Sequence, residues 1–579
     1  MSGPPESRSR HCEPSVDESK QGWRLPAWWS GFQISRGRAA TAARRNPRGP
    51  VASPTGIEAT GFWCDESPRL SVGWDVARWT SGERDRDLLE NHALRSSRCG
   101  REEDVPRIPP SNPRRVSEPV GNRTSEGPTL ILIADGWTRH VFLDLLDQGR
   151  LPEIRDELVV PGQLIDPVIS IFPTVSIASH ATLLTGTSPA DHRIPGHRWM
   201  DSTTGLITNY VGLRNFVTRG IHGIDDDLAS EVPTVFERQA PRHSEASPSL
   251  VARGASRRSK LRAGGLDSGE LIRNAGRQLL ATPDSIVVSW LPRGDVVAHR
   301  HGPEAPEVVD EMRRVSKAIG LLARTLTRAG LIDTTRILLV PDHGHRAVQE
   351  HGNLRAILAE AGVTAAQNPR RRRSRGHPLA LTSGDSSALI YGIDALGADR
   401  MLALLRRLAL SPAIGLAFWR EGDRQSYVAD RRGMSRIEYC DAVSARVTVM
   451  EGDDPLGLTT SSRIIEYDDP RRVDWRFPDI VYQYRASYVA GRSASVLVTA
   501  AAGYDFGRCP RLGWRWGLHR GSHGGPLQDE ILVSAVYRGP NRVSEVEGGV
   551  RSQDLLSHLG ILDRQTAIPG LQLDSDGRR

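Results

Sequence analysis

Cysteine is scarce and scattered: Cys12, Cys64, Cys99, Cys440 and Cys509 are odd in number and never fall in a C-x-x-C spacing. They support neither a disulfide framework nor a thiolate zinc site. No run approaches the ~18–20 uninterrupted apolar residues that span a bilayer, and the amino terminus MSGPPESRSRHCEPSVDESK lacks the apolar stretch of a signal peptide. The chain therefore reads as free of a membrane segment, unexported and cytoplasmic. A concentrated basic region is missing too. Residues 1–125 hold 20 basic against 16 acidic residues and the remainder 56 against 53, so the net charge of +7 is spread thinly. Specific nucleic-acid binding is not expected from such a balance.

At 579 residues the chain is long enough for a sizeable core, but only 38% of it is hydrophobic, which suggests a globular body with a polar appendage. Residues 1–126 supply that appendage: Arg, Ser, Pro and Gly with isolated tryptophans, and no sustained apolar period. They read as largely disordered. At Thr129 the character changes. Thr129–Ala134, Ser285–Leu291 and Ile337–Val340 are continuous apolar runs, the pattern of strands buried on both faces. Between the last two, Val308, Met312, Val315, Ile319, Leu322 and Leu326 make one stripe of a helix. Alternating buried strands and amphipathic helices predict an α/β fold, a mainly parallel sheet covered on both sides. Pro241 to Leu266 and the arginine run Pro369 to Arg375 read as exposed loops. Asp385 to Gly392 reads as part of the core, and the stretch that follows as an inserted α+β lobe roofing the site. The expected organisation is 1–126 extension, 127–392 core, 393–493 lobe, 494–565 core again and 566–579 tail.

Polar residues gather where these strands end. Asp135 follows the first run, Asp295 and His299 the second, and Asp342 and His343 the third, while His519 and His523 precede a further apolar strand, Ile531 to Tyr537. In an open parallel sheet those ends share one edge, where ligands bind. Carboxylates and imidazoles crowded there repel or stay unpaired unless cations neutralise them, and an Asp/His donor set suits zinc, with manganese and iron as alternatives. The segment Phe172-Pro-Thr-Val-Ser-Ile-Ala-Ser-His-Ala-Thr-Leu-Leu-Thr-Gly186 enters an apolar helix. A hydroxyl at such a helix start is either a nucleophile favoured by the peptide dipoles or an ordinary cap.

Taken in order, Ile-Ala-Asp135-Gly, Phe-Pro-Thr-x-Ser176-x-x-x-His180-x-x-Leu-Leu-Thr-Gly, Asp295-x-x-x-His299-x-x-Gly-Pro303, Pro-Asp342-His343-Gly344 and Ser-His523-Gly-Gly resemble the five motifs of the alkaline phosphatase superfamily. The nucleotide pyrophosphatase/phosphodiesterase branch is the most similar, over about Thr129 to Val536. The resemblance implies an alkaline-phosphatase-like α/β/α sandwich with an inserted lobe and two divalent metal ions, expected to be zinc. Asp135, Ser176, Asp342 and His343 would hold one ion, and Asp295, His299 and His523 its neighbour. His519 fits a ligand role less well. Ser176 takes the position of the nucleophile, with Thr174 as the competing hydroxyl. His197 stands where the branch usually has an asparagine, 21 residues beyond the nucleophile. A histidine there can donate to a phosphoryl oxygen, carry charge or bind metal. The Cys/Ser-x-Pro-x-Arg pattern of sulfatases is missing around Ser176. The implied activity is hydrolysis of a phosphodiester or pyrophosphate bond in a small phosphorylated substrate, a nucleotide among the candidates, through a covalent phosphoseryl or nucleotidyl-seryl enzyme. Phosphomonoesterase, phosphonate hydrolase and a non-catalytic binding protein are the alternatives on the same scaffold.

Overall fold

The computed structural model describes residues 127–210, 223–247, 250–258, 267–368, 377–507 and 519–563. The amino-terminal extension, the arginine run of 369–375 and the carboxy-terminal tail lie outside the described residues.

The first sheet has eight strands among the described residues. In chain order its main members are β1 (Thr129–Ala134), β2 (Gln163–Ile169), β3 (His243–Ala246), β4 (Ser285–Leu291), β5 (Arg336–Val340) and β6 (Leu532–Arg538). Across the sheet the order is Val550–Arg551, β2, β6, β5, β1, β4, β3 and Arg257–Arg258. β1 runs parallel to both β4 and β5, and β3 parallel to β4. β6 alone opposes its neighbours, β5 and β2. The sheet is thus mainly parallel, as the apolar runs predict.

Side chains along β1 alternate between two cores, which is what the period of two in a strand requires. Leu130 and Leu132 join the core that also holds Val308, Met312, Val315, Ile319, Leu322 and Leu326 of the helix Pro306–Arg328. Ile131 and Ile133 face the opposite core, with Leu183, Leu184, Leu555 and Leu556 from helices on the other side. Helices on both faces make the α/β/α sandwich. Burying a leucine or isoleucine contributes roughly 1.5–3 kcal/mol, so the two faces of this one strand anchor the central layer. Among the described residues no helix is long and apolar enough to cross a membrane.

Two readings of the sequence need correction. Pro241 to Leu266 is not an exposed loop throughout. His243–Ala246 is a strand of the main sheet, with Ser244, Glu245 and Ala246 buried, and Leu250, Val251 and Ala252 are buried after it. Its polar residues hide it from an apolar-run search: Glu245 lies beneath the sheet edge with Arg257 3.9 Å away. Secondly, Ser387–Tyr391 does not feed the main sheet. It forms an antiparallel hairpin with Leu379–Ser383 and pairs on its other side with Val496–Ala500. Among the described residues a nine-stranded, mostly antiparallel sheet therefore runs from Ala366 to Ala500, with Val496–Ala500 inserted between Ser387–Tyr391 and Ile414–Glu421. Leu379, Leu381, Leu389, Phe418 and Leu497 of that sheet share a core with Ile169, Phe172, Ile531 and Leu532. The same residues thus seat the second sheet against the strand ends that carry the polar clusters.

Candidate metal centre and nucleophile

The carboxyl ends of β1, β4 and β5 meet at one edge, and each delivers an aspartate. β1 ends into Asp135 and Gly136. Gly136 adopts φ +72°, and a Cβ there would lie 2.6 Å from His345 Cε1 and 2.9 Å from the Asp295 Cα, so the turn admits only glycine without displacement. After β4, the helix α1 (Arg293–His301) carries Asp295 in its first turn. His299 is one turn on and shares its face, with Nε2 3.3 Å from Asp295 Oδ1. After β5 comes Asp342-His343-Gly344-His345.

The side chains form two donor groups. In the first, His343 Nε2 lies 3.6 Å from Asp135 Oδ1 and 3.8 Å from Asp342 Oδ2. In the second, Asp295 Oδ1 faces Nε2 of His299, of His345 at 3.2 Å and of His523 at 3.5 Å. The groups adjoin: the His343 and His523 rings stack with centroids 3.9 Å apart. Asp135, Asp295, His299, Asp342, His343 and His523, widely separated in the chain, are therefore together in space.

Supporting bonds orient these donors. Trp290 Nε1 donates to Asp135 Oδ2 at 2.7 Å, and the Gly136 amide donates to Asp342 Oδ1 at 3.2 Å. His180 brings its Nε2 within 2.9 Å of Asp342 Oδ2. Yet Asp135 Oδ1, Asp295 Oδ1 and His345 Nε2 are buried without a hydrogen-bond partner. Leaving such atoms unpaired costs several kcal/mol unless a cation completes them, and buried carboxylate oxygens beside imidazole nitrogens fit a divalent metal. The titration of the groups reflects the same crowding. Burial, then the charges of Asp342 and Asp295, pushes the Asp135 carboxyl well above the usual carboxylate range. Burial opposes ionisation of Asp295 as well, but His299 and His345 hold it well below that range. His299 would be lowered by burial, and the Asp295 carboxylate instead raises it to about 9. Burial pushes His345 down to about 4.

Ser176 is the first residue of the helix α2 (Ser176–Thr185) and lies against the first group, its Oγ 3.2 Å from His343 Nε2. Val175 before it is extended, and Gly186 closes the helix with φ 71°, so Ser176 is held between a strand-like residue and an apolar helix. Thr174 is differently occupied. Its hydroxyl donates to the Gly525 carbonyl at 3.0 Å and accepts from the Gly524 amide at 2.8 Å, which ties the His523 loop to the Ser176 loop. His197 lies beside Ser176: its Nε2 is 3.5 Å from the Ile177 amide, its ring 6.4 Å from that of His523. Burial and then Arg198 lower it to about 3. His519 sits at the rim rather than with His523, its Nδ1 3.4 Å from Asp385 Oδ2 and its ring 4.9 Å from His299. Sequence reasoning missed two neighbours of the site, the buried His345 and the half-buried Trp290. The histidine two residues after His343 was the available signal, whereas nothing in the linear pattern marks Trp290 as more than a strand residue.

Fold and site together define an α/β protein whose mainly parallel sheet carries, at its strand ends, residues able to hold metal. Residues 129–393 match the model of the type I phosphodiesterase/nucleotide pyrophosphatase family. Human ectonucleotide pyrophosphatase/phosphodiesterase family member 7 is 31% identical over 65 residues, 11% of this chain. The aligned stretch spans 14% of that relative's length. Among solved structures, murine ectonucleotide pyrophosphatase/phosphodiesterase 5 aligns at 15% identity over 76% of this chain and 96% of its own, with a TM-score of 0.47. The human counterpart gives 15% identity, the same coverage and a TM-score of 0.48. The murine protein is also known as an inactive form in complex with AMP.

Proposed function

We propose that the protein hydrolyses phosphodiester or pyrophosphate bonds, with Ser176 as nucleophile and two divalent metal ions, zinc the best suited, in the donor groups around it. The observation that carries this reading is the position of Ser176 Oγ, 3.2 Å from His343 Nε2, at a helix start and beside buried acceptors that lack partners. The first ion would be held by Asp135, Asp342 and His343 with Ser176, the second by Asp295, His299 and His523. Bound there, the ions supply positive charge that eases deprotonation of a hydroxyl and steadies charge on a departing oxygen. Ser176 Oγ forms a bond to phosphorus as the bond from phosphorus to the leaving oxygen breaks, and the serine proton passes to solvent. Water then attacks the phosphoseryl or nucleotidyl-seryl enzyme, releasing the phosphoryl product and returning a proton to Ser176. The amino-terminal end of α2 contributes its peptide dipoles to an anionic substrate. In this reading His197, whose Nε2 accepts from the Ile177 amide, uses its remaining ring N–H to donate to a phosphoryl oxygen.

Because His197 replaces the asparagine usual in the branch, phosphomonoester and phosphonate substrates are a second reading of the same site. A panel decides between them. Zinc-loaded full-length protein is assayed on bis-p-nitrophenyl phosphate, a nucleoside triphosphate, p-nitrophenyl phosphate and a phosphonate. Preference for the first two supports the proposal, preference for the last two replaces it, and inactivity on all four despite bound metal favours a binding protein.

A further inference from the structure

In the donor group around Asp295, three imidazoles point the same way for the same reason. The Nδ1 of His299 lies 2.9 Å from the Gly521 carbonyl, that of His345 3.2 Å from the Gly136 carbonyl, and that of His523 2.7 Å from the Thr174 carbonyl. A carbonyl only accepts, so each Nδ1 carries the proton and donates. In the neutral ring each Nε2 then bears a lone pair. All three Nε2 atoms converge on Asp295 Oδ1 at 3.2–3.5 Å. Three Nε2 atoms facing one carboxylate oxygen, with His345 Nε2 and Asp295 Oδ1 buried and unbonded, make a donor set that a divalent cation completes by displacing any Nε2 proton.

We infer that His345 is a fourth protein donor to the ion of the Asp295 group, so that the two metal positions are chemically unequal. Three imidazole nitrogens and one carboxylate oxygen complete a four-coordinate zinc shell from protein alone, each imidazole held in its tautomer by a backbone carbonyl. The other position has three such donors, Asp135, Asp342 and His343, and reaches four only with the Ser176 hydroxyl. The inference rests on the two-metal reading above and deepens it. The Asp295 position binds first and releases last, while the position beside Ser176 is the exchangeable one. The turn at Gly136 is built for this: its carbonyl fixes the His345 ring, and its missing side chain makes room for that ring.

The test reads metal, not turnover. Full-length protein is stripped, titrated with zinc against a chromophoric chelator, and separately loaded with one equivalent of cobalt(II) for its visible spectrum. Wild-type protein is expected to take up two ions of distinct affinity, the first equivalent of cobalt giving the intense absorption of a four-coordinate site. His345→Gln and His345→Ala should weaken the tighter ion by at least the roughly 10–100-fold that loss of a merely orienting partner causes, change the cobalt spectrum and leave the looser ion nearly unchanged. His140→Gln, a half-exposed histidine outside both donor groups, should change neither. Circular dichroism of the stripped proteins establishes folding, and the glutamine variant decides if the alanine variant does not fold. Unchanged affinities and spectrum in folded His345→Gln overturn the inference alone. A wild-type protein that binds no ion overturns the proposed function with it.

Discussion

His180 and Asp342 are both buried, and Nε2 of the one lies 2.9 Å from Oδ2 of the other. The second oxygen of Asp342 accepts from the amides of Gly136 and His343 at 3.2 and 3.1 Å. These contacts fix the direction of the carboxylate. Burial alone would raise its proton affinity, yet the neighbouring His343 and His180 hold Asp342 well below the ordinary carboxylate range. His180 is therefore a positioning residue for the first donor group. Replacing it with leucine should lower affinity for the ion beside Ser176 by roughly 10–100-fold and leave the tighter ion in place, whereas His180→Gln, which keeps a donor, should recover part of the loss. Equal zinc affinities in folded wild-type and leucine proteins would remove this role.

The hydroxyls of Ser176 and Thr174 make opposite predictions. Ser176 Oγ faces the metal donors, while Thr174 Oγ1 is spent on the backbone of Gly524 and Gly525. Ser176→Ala should cut diester hydrolysis by roughly 10³–10⁶-fold, as loss of a nucleophile does, with both ions still bound. Thr174→Val leaves two buried backbone groups without a partner, about 1–3 kcal/mol each, so it should lower the melting temperature and reduce activity only through the displaced His523. Hydrolysis rates, bound metal and melting curves of the two variants separate the roles. Full activity in Ser176→Ala would move the reaction to Thr174 or to water.

What could be read in the chain, and what could not, follows from how each feature is encoded. β1, β4 and β5 are buried on both faces and therefore written as uninterrupted apolar runs. Their following aspartates were legible because a parallel sheet places all such ends together. β3 escaped notice because a four-residue strand of His, Ser, Glu and Ala has no apolar signature. The hairpin 379–391 was misplaced because pairing partners over a hundred residues apart leave no local trace: Ser387–Tyr391 is fixed by Val496–Ala500. His345 was overlooked for a similar reason. Its neighbour Gly136 is 209 positions away, and only the folded chain aims it at Asp295.

One buried histidine outside the donor groups sets an acid limit on the fold. His192 closes the turn after α2 with its side chain inaccessible, Nε2 bonding the Thr182 hydroxyl at 2.9 Å and Nδ1 accepting from the Ile194 amide at 3.2 Å. Protonating Nδ1 would turn that acceptor into a donor facing an N–H. Burial accordingly lowers the imidazole from 6.5 to about 3. Between those values the unfolded chain binds a proton that the folded chain refuses, so stability rises with pH across the window. The contribution is complete above about pH 6.5 and fades as pH falls towards 3. From pH 7 to pH 5 this group alone should cost about 2 kcal/mol. Urea unfolding of chelator-treated protein at the two pH values measures the loss. His192→Gln, which keeps both a donor and an acceptor but does not titrate, should show a pH-dependent loss smaller by that amount. An identical loss in the variant would mean that His192 is already protonated in the folded chain.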